Sequence, residues 1–316
     1  MIYLLYLLLA LSVVYLSNKA SVYVDLIDKK TSLSGAFIGG VMLSAVTSLP
    51  ELFTSLSATL LLNKPGLCIG NILGSDLFNI AVLALLMLIA RKSFRNVSIA
   101  KSHVSVSVAV VLMYFALFLN MFYVLDFHIL TVNITSIIVV ALYFLGVKYM
   151  AAENGTEEEE EAEDCCGLTV RQIAFRFALV SLGIIVLSIA ITYVTDMISL
   201  RLNLGAGLAG ALFLGIATSL PEVSSTIALI KLKNHNIAIG NIIGSNLFNF
   251  IILALADVFY VGGGIYDYTD PKTILLLIMG TIAMPLMLVV MKWKTRVTQL
   301  VCPAGVVLCY LLFLMN

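Results

Sequence analysis

The sequence predicts an all-α membrane protein of about ten transmembrane helices in two inverted five-helix repeats. Three observations lead there. The chain is 61% hydrophobic and 11% charged over 316 residues, whereas a soluble domain carries about a quarter charged residues. Cut at its charged and turn-rich breaks, it gives ten apolar segments near the roughly 20 residues that a spanning helix needs. A polar phrase also occurs twice: Thr47-Ser48-Leu49-Pro50-Glu51 returns as Thr218-Ser219-Leu220-Pro221-Glu222. Each copy is followed by a second shared phrase, Gly70-Asn71-Ile72-Leu73-Gly74-Ser75-Asp76-Leu77-Phe78-Asn79 and Gly240-Asn241-Ile242-Ile243-Gly244-Ser245-Asn246-Leu247-Phe248-Asn249.

In order, the segments run approximately 2–26, 33–62, 66–90, 103–124, 126–149, 172–199, 206–231, 236–260, 272–291 and 297–315. The first has no basic region before Lys19, so it is expected as a retained helix rather than a cleaved signal peptide; Lys19 and Asp25 interrupt its later part. The second and seventh carry the Pro-Glu phrase, and the third and eighth carry the Gly-Ser phrase. Between the fifth and sixth lies an acidic stretch, 151–171, with Glu157 to Glu161, Glu163 and Asp164. Such a run is expected to be a solvated linker, and it is too short for a folded regulatory domain. It separates a first repeat, 1–150, from a second, 172–316.

Basic residues orient the chain, because cytoplasmic loops are enriched in Lys and Arg. With the N-terminus outside, all of the 18 Lys and Arg residues except Lys64, Arg201 and Lys272 fall inside. A multi-pass protein of the cell membrane is therefore expected, with both termini outside and the acidic loop in the cytoplasm. Five spans per half is an odd number, so the second half enters from the opposite face and the repeated phrases are inverted. Inverted repeats with broken helices at the midplane are a transporter signature.

Several functions are disfavoured. Net charge is zero and no basic patch interleaves with aromatics, which argues against a nucleic-acid partner. The cysteines, Cys68, Cys165, Cys166, Cys302 and Cys309, lack metal-ligand spacing and are expected as packing and loop thiols. His103, His128 and His235 fall near the interfaces and are not expected as ligands. There is no obvious nucleophile–base pair, so an enzyme is not expected. No prosthetic group and no obligatory protein partner is expected; lipid and transported ions are.

The repeated phrases carry the chemistry. Thr47, Glu51 and Ser55 share one helical face, as do Thr218, Glu222 and Thr226. Pro50 and Pro221 lack an amide hydrogen and crowd the carbonyl four residues back, so each helix is expected to kink or open. Freed carbonyls at this depth are tolerable where they line a cavity or bind something. A carboxylate beside them makes a hard-oxygen cation site. Asn71, Ser75 and Asn79 form a polar stripe at a spacing of four, which Asn241, Ser245 and Asn249 repeat. Gly70 with Gly74, and Gly240 with Gly244, suit close helix contact. Asp76 has Asn246 as its counterpart, and a hydrogen bond at a helix interface is its expected role.

Two glutamates with carbonyls, amides and hydroxyls suit Ca2+, which takes about 6–8 oxygens in irregular geometry. The lack of nitrogen or sulfur ligands disfavours zinc and copper; Mg2+ prefers to keep its water. Two negative charges balance one Ca2+ or two Na+. A bare charge at the midplane costs roughly 2.5–3.5 kcal/mol on insertion scales, so the site is expected always to hold cations or protons.

At these residues the chain resembles the calcium/cation antiporters, specifically the sodium/calcium exchanger membrane domain. The likeness is carried by the two α-repeats, about 35–90 and 206–260. It implies a diamond of four cation sites formed by the second, third, seventh and eighth helices. Glu51 and Glu222 would bridge a central Ca2+, and Thr47 and Thr218 would give it backbone carbonyls. Ser48 and Ser219 would help the flanking Na+ sites, Ser75 and Ser245 would serve those outer sites, and Asn79 and Asn249 would complete the middle. The first and sixth helices would slide across the other eight. The chain departs from the family pattern at Asn249, where many relatives carry aspartate, and at Val46 and Ala217, where glycine commonly precedes the threonine. The expected activity is export of Ca2+ against Na+. The alternatives are an H+-coupled or other divalent-cation antiporter on the same fold or, from another class, a cation channel.

Overall fold

A computed structural model describes residues 2–30, 43–94, 97–125, 127–129, 131–152, 168–231, 233–267, 270–293 and 295–315. Helix α1 spans Ile2–Lys30. It runs unbroken past Lys19, whose ammonium lies 4.7 Å from the centroid of the Tyr15 ring. A cation four residues from an aromatic face is thus accommodated within the helix. The proline-containing segment is split into α2 (Leu43–Thr47), α3 (Leu49–Leu56) and a π-wound turn, Ser57–Leu61. Helix α4 (Pro65–Ile89) follows, then the single turn α5 (Arg91–Phe94) and α6 (Lys101–Met121).

The next segment differs from its expected span. A hairpin of β1 (His128–Ile129) and β2 (Val132–Asn133) precedes α7, Ile134–Ala152. The strands pair their own backbone groups and the Phe127 carbonyl takes the Ile134 amide at 2.8 Å, so the helix begins eight residues later than the apolar run suggests.

The second half holds α8 (Val170–Leu202), the short α9 (Ala206–Ala209), a π-wound segment Gly210–Gly215, α10 (Ile216–Lys231), α11 (His235–Phe259), α12 (Pro271–Lys292) and α13 (Thr298–Met315). Thr169 caps α8 through a capping box with Gln172, which satisfies two amides at its start. Among the described residues, eight helices are long and apolar enough to cross a membrane, with Ile134–Met150 a shorter apolar one. The acidic run Glu157 to Asp164 lies outside the described residues.

Packing divides the molecule unevenly. Helices α4 and α11 are buried almost all round. With α6, α12 and α13 they build one large core that draws on both halves of the chain. Glycines bring α4 against the second half backbone to backbone. A Cβ on Gly70 would run into the Gly207 backbone, and one on Gly74 would lie 2.5 Å from Ala211 Cα. Those glycines therefore make the close contact expected of them.

Helices α1 and α8 pack chiefly on each other. They touch the rest through small clusters, Ala10 with Ile191, Leu214 and Ala217, and Ala20 with Val46 and Ile184. Their spanning windows, with that of α13, are the least covered: 17% buried for α1 and 28% for both α8 and α13.

Candidate cation site

The site is built where α3 and α10 meet α4 and α11. Pro50 offers no N–H to the Val46 carbonyl, and Pro221 offers none to Ala217. In the first copy the helix breaks at Ser48 (φ −86°, ψ 10°), and the Ser48 carbonyl accepts the Leu52 amide at 3.0 Å. In the second copy the expected opening is absent: α10 runs through Pro221 without a break. The distortion sits upstream instead, in the π-wound Gly210–Gly215.

Glu51 and Glu222 are 1% and 0% exposed, so bulk water does not satisfy them. Their contacts come in matched pairs across the two phrases. Ser219 Oγ donates to Glu51 Oε1 at 3.3 Å, and Ser48 Oγ donates to Glu222 Oε1 at 3.2 Å. In both residues Oε2 has no hydrogen-bond partner. Lys64 pairs with Asp196 rather than with either glutamate. Two carboxylate oxygens are therefore held in place and left open, the condition of a group awaiting a cation.

The amides divide into two tasks. Asn71 Nδ2 donates to Thr54 Oγ1 (2.9 Å), Ser55 Oγ (2.8 Å) and the Glu51 carbonyl (3.4 Å). Asn241 Nδ2 does likewise to Thr226 Oγ1 (3.2 Å) and the Glu222 carbonyl (3.3 Å). These two clamp the helix behind each glutamate. Asn79 and Asn249 behave otherwise: each directs Nδ2 across to the opposite half, and the Oδ1 of each is buried without a partner.

The predicted hydroxyls vary in position. Thr47 Oγ1 donates to the Ser44 carbonyl at 3.1 Å, and Thr218 Oγ1 to the Leu214 carbonyl at 2.9 Å. The Thr47 hydroxyl is turned back on its own helix, while Thr218 Oγ1 also reaches Asn71 Oδ1 of α4 at 3.4 Å. Ser75 Oγ donates to the Gly215 carbonyl at 3.2 Å, while Ser245 Oγ is buried without a partner. All ten predicted residues, Thr47, Ser48, Glu51, Ser75, Asn79, Thr218, Ser219, Glu222, Ser245 and Asn249, are buried.

Among the described residues no cluster of three His, Cys, Asp or Glu side chains could hold a metal. Any cation here is held by two carboxylates supplemented with amide, hydroxyl and backbone oxygens, a donor set for Ca2+ or Na+ rather than zinc or copper. Asp76 makes the helix-interface hydrogen bond expected of it, but that its partner, and the partner of its counterpart Asn246, would be site asparagines was not foreseen. Asp76 and Asn246 are fully buried and hold Asn249 and Asn79 respectively. The signal was in the sequence: they are the one polar position where the two Gly-Ser phrases differ.

The chain is similar to known membrane proteins. Over 224 residues the chain is 26% identical to an uncharacterized membrane protein of Methanocaldococcus jannaschii, covering 70% of this chain and 69% of that one. Over 255 residues it is 25% identical to the inner membrane protein YrbG of Escherichia coli, covering 77% and 75%. Among solved structures it is similar in fold to the sodium-calcium exchanger NCX_Mj, with a TM-score of 0.61 at 19% identity over 98% of this chain and 99% of that chain. It also resembles the H+/Ca2+ exchanger CAX, with a TM-score of 0.68 at 13% identity over 99% and 87%. The profile described as Sodium/calcium exchanger protein matches residues 1–151 and 173–316, nearly the whole chain, and this chain belongs to that family.

Proposed function

We propose that this protein is a secondary antiporter that exports Ca2+ in exchange for Na+ by alternating access. The observation that carries the reading is the matched pair of buried glutamates, each fixed through Oε1 by the other half's serine and each leaving Oε2 open. Glu51 and Glu222 bridge the Ca2+, with the Thr47 and Thr218 carbonyls and the Asn79 and Asn249 Oδ1 atoms beside them. Ser48, Ser219, Ser75 and Ser245 serve the flanking Na+ positions.

The same reading takes α1, the split segment ending at Leu61, α4, α6, α7, α8, the run α9–α10, α11, α12 and α13 as ten spans in two inverted repeats. Both termini lie outside and the acidic loop lies in the cytoplasm. Helices α1 and α8 form the part that moves, sliding over the other eight to open the site to one side or the other; their thin contact with the body supports this. A channel is disfavoured because the paired oxygens lie within one chain rather than in a ring of symmetric subunits.

Flux into proteoliposomes tests it. Calcium uptake is expected to follow an outward Na+ gradient and to stop when Na+ is replaced by a large organic cation. Uptake driven by a pH gradient alone, unchanged on removing Na+, would transfer the coupling to protons on the same fold.

A further inference from the structure

The asparagines at the centre are held in a crossed pattern. Asn79 of α4 donates Nδ2 to Asn246 Oδ1 of α11 at 3.1 Å. Asn249 of α11 donates Nδ2 to Asp76 Oδ1 of α4 at 2.8 Å. Residues 76 and 246 are counterparts in the repeated phrase, and so are 79 and 249, so each half orients the other half's asparagine. Asn246 is itself tied down, its Nδ2 on the Asp76 carbonyl at 3.0 Å. Asp76 Oδ2 faces the Tyr114 hydroxyl of α6 at 3.5 Å. The result is the same on both sides: amide nitrogen turned away, Oδ1 buried and unpartnered.

An amide has two unlike ends, and a cation accepts only the oxygen. An ionised carboxylate offers acceptors alone, which suits the nitrogen end of Asn249 that is found against Asp76 Oδ1. We infer that Asp76 is a positioning residue that fixes the Asn249 amide with its carbonyl oxygen toward the cation, as Asn246 does for Asn79. Asp76 then acts through Asn249 and is not itself a ligand. This rests on the cation site proposed above.

The test is a double-mutant cycle on Ca2+ saturation of the purified full chain, with folding checked by gel filtration and thermal melting. Asp76→Leu removes the acceptor and is expected to raise half-saturating Ca2+ about tenfold, the scale of one lost interaction. Asn249→Ala is expected to do about the same. The double variant is expected to match Asn249→Ala alone, since nothing remains to orient; independent effects would multiply. Asp76→Asn keeps an acceptor and is expected within about threefold of wild type. Multiplying effects, or Asp76→Leu saturating as wild type, would overturn the inference. If the Asp76→Leu chain does not fold, Asn246→Leu gives the mirror test on Asn79, with unchanged saturation again the overturning result. Wild type that takes up no Ca2+ while remaining folded would instead reject the cation site itself.

Discussion

Helices α4 and α1 are both long, apolar and near the start of the chain, yet they are packed in opposite ways. Helix α4 buries Gly66 through Leu77 without a gap and meets the second half through glycine backbone. Helix α1 is covered over 17% of its spanning window and leans mainly on α8. The close-packed body carries the glutamates and their clamps, whose geometry has to be held. The outer pair carries none of the predicted site residues and has little to lose by shifting. Close and sparse packing are thus given to different helices, the contrast on which the proposed sliding of α1 and α8 rests.

The largest expected effect that probes this contrast uses one substitution in two places. Gly70→Ala puts a methyl into the Gly207 backbone, which cannot yield as a side chain can. It is expected to cost more than the roughly 1–3 kcal/mol of ordinary overpacking and to abolish recovery of monodisperse protein. Gly183→Ala in α8 meets only the Leu16 Cδ1 atom, 2.7 Å away. That flexible tip can move aside, so the thermal midpoint is expected to stay close to wild type. Equal losses at the two positions would erase the contrast.

Next come the glutamates. Glu51→Gln and Glu222→Gln keep shape and remove one charge each; both are expected to abolish Na+-driven Ca2+ flux while leaving folded protein in the membrane. Robust transport by either would remove the central role of the pair.

A cross-linking comparison is the third test. Ala20→Cys with Val46→Cys, joined by a short bifunctional thiol reagent, ties α1 to the body and is expected to stop flux while leaving Ca2+ binding intact. Leu16→Cys with Gly183→Cys ties α1 to α8, which are proposed to move together, and flux is expected to continue. The reverse outcome would mean that the outer pair shears internally.

The smallest effect belongs to Lys64, paired with Asp196 of α8 at the boundary between the two regions. A partly exposed pair contributes about 0–1 kcal/mol, so Lys64→Ala is expected to change exchange rate by no more than about fivefold, and less at high salt.

Much of this was legible in the sequence, for definite reasons. Hydropathy locates spans because a bilayer tolerates no unpaired backbone, and most helices start or end within a few residues of the apolar segments. The candidate site was legible because Glu51 and Glu222 are costly in hydrocarbon and occur in duplicate. Three features were not legible. The start of α7 depends on the Val132–Asn133 pairing, which an apolar run does not encode. The continuity of α10 through Pro221, with π-winding upstream at Gly210–Gly215, is not encoded in the proline itself. The part played by Asp76 was obscured because helical spacing describes one helix at a time, whereas its partner Asn249 stands on another.

The sparse covering of α1 and α8 has a further consequence. If this pair slides as proposed above, most of what it displaces is hydrocarbon chains. Turnover is then limited in part by drag in the surrounding lipid, so the same protein is expected to run slower in a stiff, ordered bilayer than in a fluid one, with its affinity for ions unchanged.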